Sequence, residues 1–171
     1  SSIENMDLAR SAFVEPRGGP PRQLAAATCA AINGGYYYTP HFLEEIYSDK
    51  GVIAERFDKK AKSRPISEEA SGIIREMLES VVKDGSGKHA YIEGYRVGGK
   101  TGTAQKYENG IIAQGKYVAS FVGFFPADKP EYLALVIIDE PQGVYYGSTV
   151  AAPYAKEVFE GIINVKNMQA G

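Results

Sequence analysis

The chain has 171 residues, 44% of them apolar and 23% charged, which suits one domain of ordinary size and excludes a disordered tail. Nineteen Lys and Arg against 21 Asp and Glu leave a formal charge of -2, which excludes a whole-chain basic field for nucleic acid or anionic lipid. One cysteine, Cys29, excludes an internal disulfide framework and a Cys-based zinc cluster, and two isolated histidines, His41 and His89, are too few for a His-based metal site.

Taken in chain order, the opening SSIENMDLAR is polar and acidic, unlike a signal peptide. Val14 to Arg22 (VEPRGGPPR) has no period and reads as a loop. Pro20 and Pro21 then open a helix whose face carries Leu24, Ala27, Thr28, Ala31 and Ile32, and Gly34-Gly35 ends it. Between Tyr36 and Phe57, aromatic and β-branched residues flank the turn Asp49-Lys50-Gly51, predicting a hairpin. Lys59 to Arg64 is a basic stretch best read as a solvated loop.

Ser67 is an N-cap with Glu68 and Glu69 in the favourable first turn. Ala70, Ile73, Ile74, Met77, Leu78, Val81 and Val82 follow at helical spacing until Asp84-Gly85-Ser86-Gly87 stops the helix. Asn109-Gly110 is a hairpin signal, and Tyr117 to Phe125 and Tyr132 to Ile138 read as two further strands. Strands joined by turns this short run antiparallel. Tyr132 to Ile138 is also the longest apolar run, far short of the roughly 20 residues needed to cross a bilayer. From near Ser148, Val150, Ala151, Tyr154, Ala155, Val158, Phe159, Ile162 and Ile163 predict one apolar face of a last helix, with Pro153 in its first turn. The expected fold is α+β, an antiparallel sheet flanked by helices, without an anchor of its own.

Gly94 to Thr101, GYRVGGKT, fits the phosphate-binding loop pattern, and LALVIIDE at Leu133 to Glu140 resembles the strand and acid that hold Mg²⁺ in such NTPases. That loop must follow a buried strand and open a helix. Upstream, KHAYIEG has no apolar strand run, and downstream, GTAQKYENGIIAQGKY has no helical period. The residues therefore place Lys100-Thr101 within a strand, and the NTPase remains the alternative enzyme class.

Read as one unit on a strand, Lys100-Thr101-Gly102-Thr103 resembles the Lys-Thr-Gly motif of penicillin-binding proteins. VGGKTGTAQK, SFVGFFPADKPEYLALVIIDEP and GSTVAAPYAKEVFEGI resemble, in order and spacing, the strand-hairpin-strand and closing helix of class B penicillin-binding proteins. LAAATCAAINGGYYYTPHFL and SEEASGIIREMLESVV resemble the preceding helices and hairpin, so the resemblance covers about Leu24 to Ile163. It implies a partial penicillin-binding-protein/β-lactamase-like transpeptidase fold, with 1–23 an irregular N-terminal segment and 24–171 the C-terminal part of a transpeptidase domain.

The activity implied is D,D-transpeptidation of peptidoglycan stem peptides ending in D-Ala-D-Ala, through an acyl-serine that β-lactams also form. No metal or organic cofactor is implied. The resemblance makes Lys100 a cation beside the nucleophile, and Thr101 and Thr103 hydroxyl donors to the substrate carboxylate. Gly102 admits the substrate backbone, and the Thr103 N–H is an oxyanion-hole donor. The parent protein is expected on the outer face of a bacterial cytoplasmic membrane, held by an N-terminal anchor.

The nucleophile is not legible. Ser80-Val81-Val82-Lys83 matches Ser-x-x-Lys, yet it ends its helix and lies only about 20 residues before Lys100, so it reads as a decoy. Ser-x-Asn does not occur. The expectation is a fragment, inactive alone, that acts by itself at most as an interaction module. It would need the missing N-terminal part of its domain and would leave Tyr132 to Ile138 as an unpaired edge open to self-association. Val14 to Arg22 also departs from the family, with only Phe13, Pro21, Gln23 and Leu24 fitting. Tyr145-Tyr146 reads as a packed aromatic pair more than as a groove wall.

Overall fold

The computed structural model describes residues 21–57, 60–108 and 111–170. The loop expected over 14–20 lies outside them, whereas Arg22 belongs to the first helix. That helix, α1 (Pro21–Ile32), begins on a proline whose missing N–H falls where a helix has no partner for it. β1 (Glu45–Tyr47) and β2 (Ile53–Arg56) form the expected hairpin. α2 (Glu68–Lys83) starts on Ser67, whose Oγ accepts from the Ala70 N–H at 3.1 Å. A single 3₁₀ turn, Lys88–Ala90, follows.

β3 (Gly98–Glu108), β4 (Ile111–Phe125) and β5 (Tyr132–Asp139) make one antiparallel sheet in the order β3-β4-β5. β4 begins at Ile111 instead of Tyr117, because pairing with β3 extends the strand into a segment whose own apolar pattern is weak. The Asn109-Gly110 turn lies outside the described residues, and the strands pair as far as Glu108↔Ile111 on either side of it. A four-residue turn, α3 (Gly147–Val150), leads into α4 (Ala152–Lys166) with Pro153 in its first turn.

The sheet buries both faces, and β4 supplies the aromatic residues of each. Phe121 and Phe125 pack against Phe159, Ala151, Ala152 and Ala155, with the Phe125 and Phe159 rings 5.8 Å apart. Phe124 points the other way, onto Ile32 and Ala127 with Ile74, Leu78 and Leu133 beside them. β3 comes close to these rings only because it carries Gly98 and Gly99. A Cβ on either would lie under 3.0 Å from the Phe124 or Phe121 ring.

Two helical faces are narrower than their periodicity predicts. On α4, Ala155, Phe159 and Ile163 are buried, while Tyr154 is 55% and Val158 49% exposed. On α2 only Ser71 and Val82 are fully buried, and Met77 is 64% exposed. A 3.6-residue repeat marks a wide stripe, and the sheet or neighbouring helix covers only its middle.

Arg96 ties α2 to the segment entering β3. Its guanidinium grips both Glu79 carboxylate oxygens, at 2.7 and 2.6 Å, and Asp128 lies 3.9 Å away. The hydrogen bonds from Arg96 hold the Glu79 carboxyl below its ordinary 4.5. A depressed carboxyl contributes stability that is present above its unfolded value and lost as pH falls through its folded one. Glu79→Gln should therefore flatten the fall in stability between about pH 5 and pH 3, by about 1 kcal/mol or less for a pair at the surface. Urea unfolding across that range tests this, and equal slopes for both proteins would refute it.

Candidate functional site

Lys100, Thr101, Gly102 and Thr103 sit in the first half of β3, at one margin of the sheet. The register pairs Lys100 with Val122, Thr101 with Phe121 and Thr103 with Ala119. Directly opposed residues share a face and neighbours alternate. Thr101 and Thr103 therefore lie on the α4 side with Phe121, and Lys100 lies on the α1–α2 side. The four residues form one backbone unit, but their side chains approach the sheet margin from two faces.

Lys100 is half-buried, and its ammonium donates to the Thr101 carbonyl at 2.7 Å. The Thr101 hydroxyl lies 3.2 Å from Ser86 Oγ, so the loop after α2 grips this residue. Thr103 is exposed, and its Oγ1 accepts from the Gly147 N–H at 3.1 Å. An accepting hydroxyl keeps its own hydrogen to donate outward. Gly147 is buried against the strand pair: a Cβ there would sit under 3.0 Å from the carbonyl oxygens of Ser120 and Gly102.

An aromatic row continues the site beyond Thr103. The Tyr145 ring stacks on Tyr117 at 4.0 Å with planes 7° apart, and Tyr146 leans on Tyr145 at 4.7 Å. The hydrogen bond to Tyr146 and the charge it would carry push the Tyr145 phenol up to about 12. Tyr145 is thus part of a packed cluster, as the sequence suggests, whereas Tyr146, the residue before Gly147, is 55% exposed. Lys106 reaches across from β3 to Asp139 at 2.9 Å and Glu140 at 2.8 Å, which raises its own pKa and pins the loop that carries these tyrosines.

Other sequence candidates fall away. Ser80 and Lys83 are exposed on the last turn of α2, and Ser80 Oγ donates to the Glu76 carbonyl at 3.1 Å, an ordinary helical back-bond. Lys100-Thr101 continues a paired strand and heads no helix, so the phosphate-loop geometry is absent from this segment. An apolar cavity of about 340 Å³ lies elsewhere, between α1 and the start of β5, with Cys29 and Ile32 in its wall. Burial raises the Cys29 thiol, away from a reactive thiolate. No group of three or more His, Cys, Asp and Glu capable of holding a metal occurs among the described residues.

Sequence reasoning passed over Gly147 and Ser86. Gly147 figures in the sequence only as the start of GSTVAAPYAKEVFEGI and Ser86 only in a helix-stop signal, and only the close passage of two distant segments gives them a task. Tyr117 offered a weak signal as one of several tyrosines near strand ends.

Lys-Thr-Gly-Thr thus lies along a sheet margin, with the Gly147 turn seated against Thr103. Comparison gives it a family. The penicillin binding protein transpeptidase domain matches residues 20–160, and the chain belongs to this family, in its class B branch. Stage V sporulation protein D of Bacillus subtilis is 44% identical over 153 residues, which is 86% of this chain and 23% of that protein. The probable peptidoglycan D,D-transpeptidase PenA of Neisseria gonorrhoeae is 35% identical over 84% of this chain and 23% of its own length. Penicillin-binding protein 3 of Mycobacterium tuberculosis, solved with ampicillin, superposes with a TM-score of 0.80 at 25% identity, covering 91% of this chain and 37% of that one. The chain thus spans about a quarter of the length of the curated relatives it matches.

Gly147→Ala should lift the turn off the strand pair and break its bond to Thr103. The expected cost is about 1–3 kcal/mol, as for other insertions into tight packing. Thermal unfolding of the variant measures it; an unchanged midpoint would show that the turn is not seated as described.

Proposed function

We propose that the protein carrying this chain is a serine D,D-transpeptidase that crosslinks peptidoglycan stem peptides, with Lys100 to Thr103 forming one wall of its active site. The observation that carries this reading is the Lys-Thr-Gly-Thr strand at the sheet margin, with a Thr103 hydroxyl oriented by Gly147. The chemistry follows from the residues. A serine outside these 171 residues attacks the carbonyl carbon of the penultimate D-Ala and gives up its proton to a neighbouring base. Lys100 supplies positive charge beside that proton transfer.

The tetrahedral oxyanion is received by backbone N–H groups, the Thr103 N–H among them, a contribution of about 3 kcal/mol per donor. The terminal D-Ala leaves with a proton, and an amine of a neighbouring stem peptide attacks the acyl-serine and restores the hydroxyl. A β-lactam enters the same way, but its leaving nitrogen stays tethered. The outward hydrogen of Thr103 suits the carboxylate that both ligands carry, with Thr101 placed to support it. Gly102 leaves the strand surface open to the substrate backbone.

This work is done where peptidoglycan is, on the outer face of a bacterial cytoplasmic membrane. No helix among the described residues is long and apolar enough to cross one, so an anchor would come from the rest of the protein.

Acylation by a penicillin tests the reading. In the full-length protein, Lys100→Ala should slow acylation on the order of a hundredfold or more. The isolated chain should show no mass shift on intact-mass spectrometry. A shift of one β-lactam would mean that a serine within it, Ser80 included, is the nucleophile.

We further propose that the isolated chain pairs with a second copy along β5. That strand pairs with β4 on one side, carries neither Lys nor Pro, and shows Ile137 at 36% exposure. Sedimentation should give a dimer at micromolar concentration that Ile137→Lys returns to monomer; a monodisperse monomer of the unaltered chain would sink the idea.

A further inference from the structure

We infer that His89 is a positioning residue for the Thr103 hydroxyl, acting through the turn that carries Gly147; the inference rests on the transpeptidase reading of that hydroxyl. His89 Nδ1 lies 2.8 Å from the Ser148 carbonyl oxygen. A carbonyl accepts only, so Nδ1 carries the hydrogen and donates it. The link runs between segments 59 residues apart in sequence and connects two rigid supports. On one side, His89 sits in the Lys88–Ala90 turn, flanked by fully buried Ala90 and, two residues before it, buried Gly87. On the other, Ser148 follows Gly147 directly.

The turn itself offers Ser148 little help. Its backbone bonds run from Thr149 and Val150 to the Tyr146 carbonyl and from Ala151 to the Gly147 carbonyl. The Ser148 carbonyl instead takes its hydrogen from the imidazole. Gly147 then donates to Thr103 Oγ1 at 3.1 Å, which completes a chain from His89 through Ser148 and Gly147 to Thr103. The same short loop holds Thr101 through Ser86 Oγ at 3.2 Å. Residues 86–89 therefore set both threonines of the strand, one directly and one through the turn. Without the His89 link, the seat of Gly147 on Ser120 and Gly102 still limits the turn sideways, but nothing described here holds the Ser148 carbonyl.

Two measurements test this, and their failures mean different things. In the full-length protein, His89→Ala should lower the second-order rate constant for acylation by a penicillin by about ten- to a hundredfold, the cost of a misplaced binding group. His89→Asn, whose amide nitrogen falls near the place of Nδ1, should restore most of that loss. His89→Gln, whose nitrogen falls near Nε2, should not. In the chain itself, hydrogen exchange of the Gly147 amide should quicken by about tenfold in His89→Ala and return toward the original rate in His89→Asn.

An unchanged Gly147 amide in His89→Ala overturns the inference, whatever the acylation result. So does equal loss of acylation in the alanine and asparagine variants when both keep the unfolding midpoint of the original protein. If the unaltered full-length protein is not acylated at all, the transpeptidase reading fails, and amide exchange still decides whether His89 holds the turn.

Discussion

The structure depends on the two-sided packing of β4. Phe121 and Phe125 fill one core and Phe124 the other, so this strand cannot slip by one residue without exchanging the contents of both cores. Its register with β3 is therefore fixed by aromatic volume. Through that register, the same constraint sets Lys100 opposite Val122 and Thr103 opposite Ala119. The site inherits its geometry from the core. The close approach of β3 to the rings, made possible at Gly98 and Gly99, is the local condition for it.

Around the strand, the site is held by contacts between segments far apart in the chain. Gly147 seats on the Gly102–Ser120 pair, Lys106 fastens the end of β5 to β3, and the loop after α2 touches Thr101 and Ser148. Each contact is modest alone. Together they hold the Thr101 and Thr103 side chains along one margin of the sheet.

Met77 on α2, Tyr154 and Val158 on α4 and Ile137 on β5 are unburied members of otherwise packed elements. Their side chains continue the stripes that the sequence periodicity marks, and the covered part of each stripe is what the described residues themselves bury. This also explains why the predicted faces of α2 and α4 were too wide: periodicity reports affinity for an apolar neighbour, not which neighbour is there.

Local chemistry was enough to read most elements from the sequence. Pro21 and Ser67 mark helix starts, short turns dictate antiparallel strands, and the absence of a helical period after Thr101 places Lys-Thr-Gly-Thr in a strand, where pairing with β4 finds it. These features depend on residues within a few positions of one another, so a linear reading captures them. The extension of β4 back to Ile111, the assignment of Lys100 and Thr103 to opposite faces, and the roles of Gly147, Ser86 and His89 were decided only in the folded chain. They rest on register and on contacts across 15 to 59 residues, as Ser86 to Thr101 and His89 to Ser148 illustrate. Side-chain type alone cannot encode such contacts, because a glycine, a serine or a histidine acquires its task from the backbone that packing brings against it.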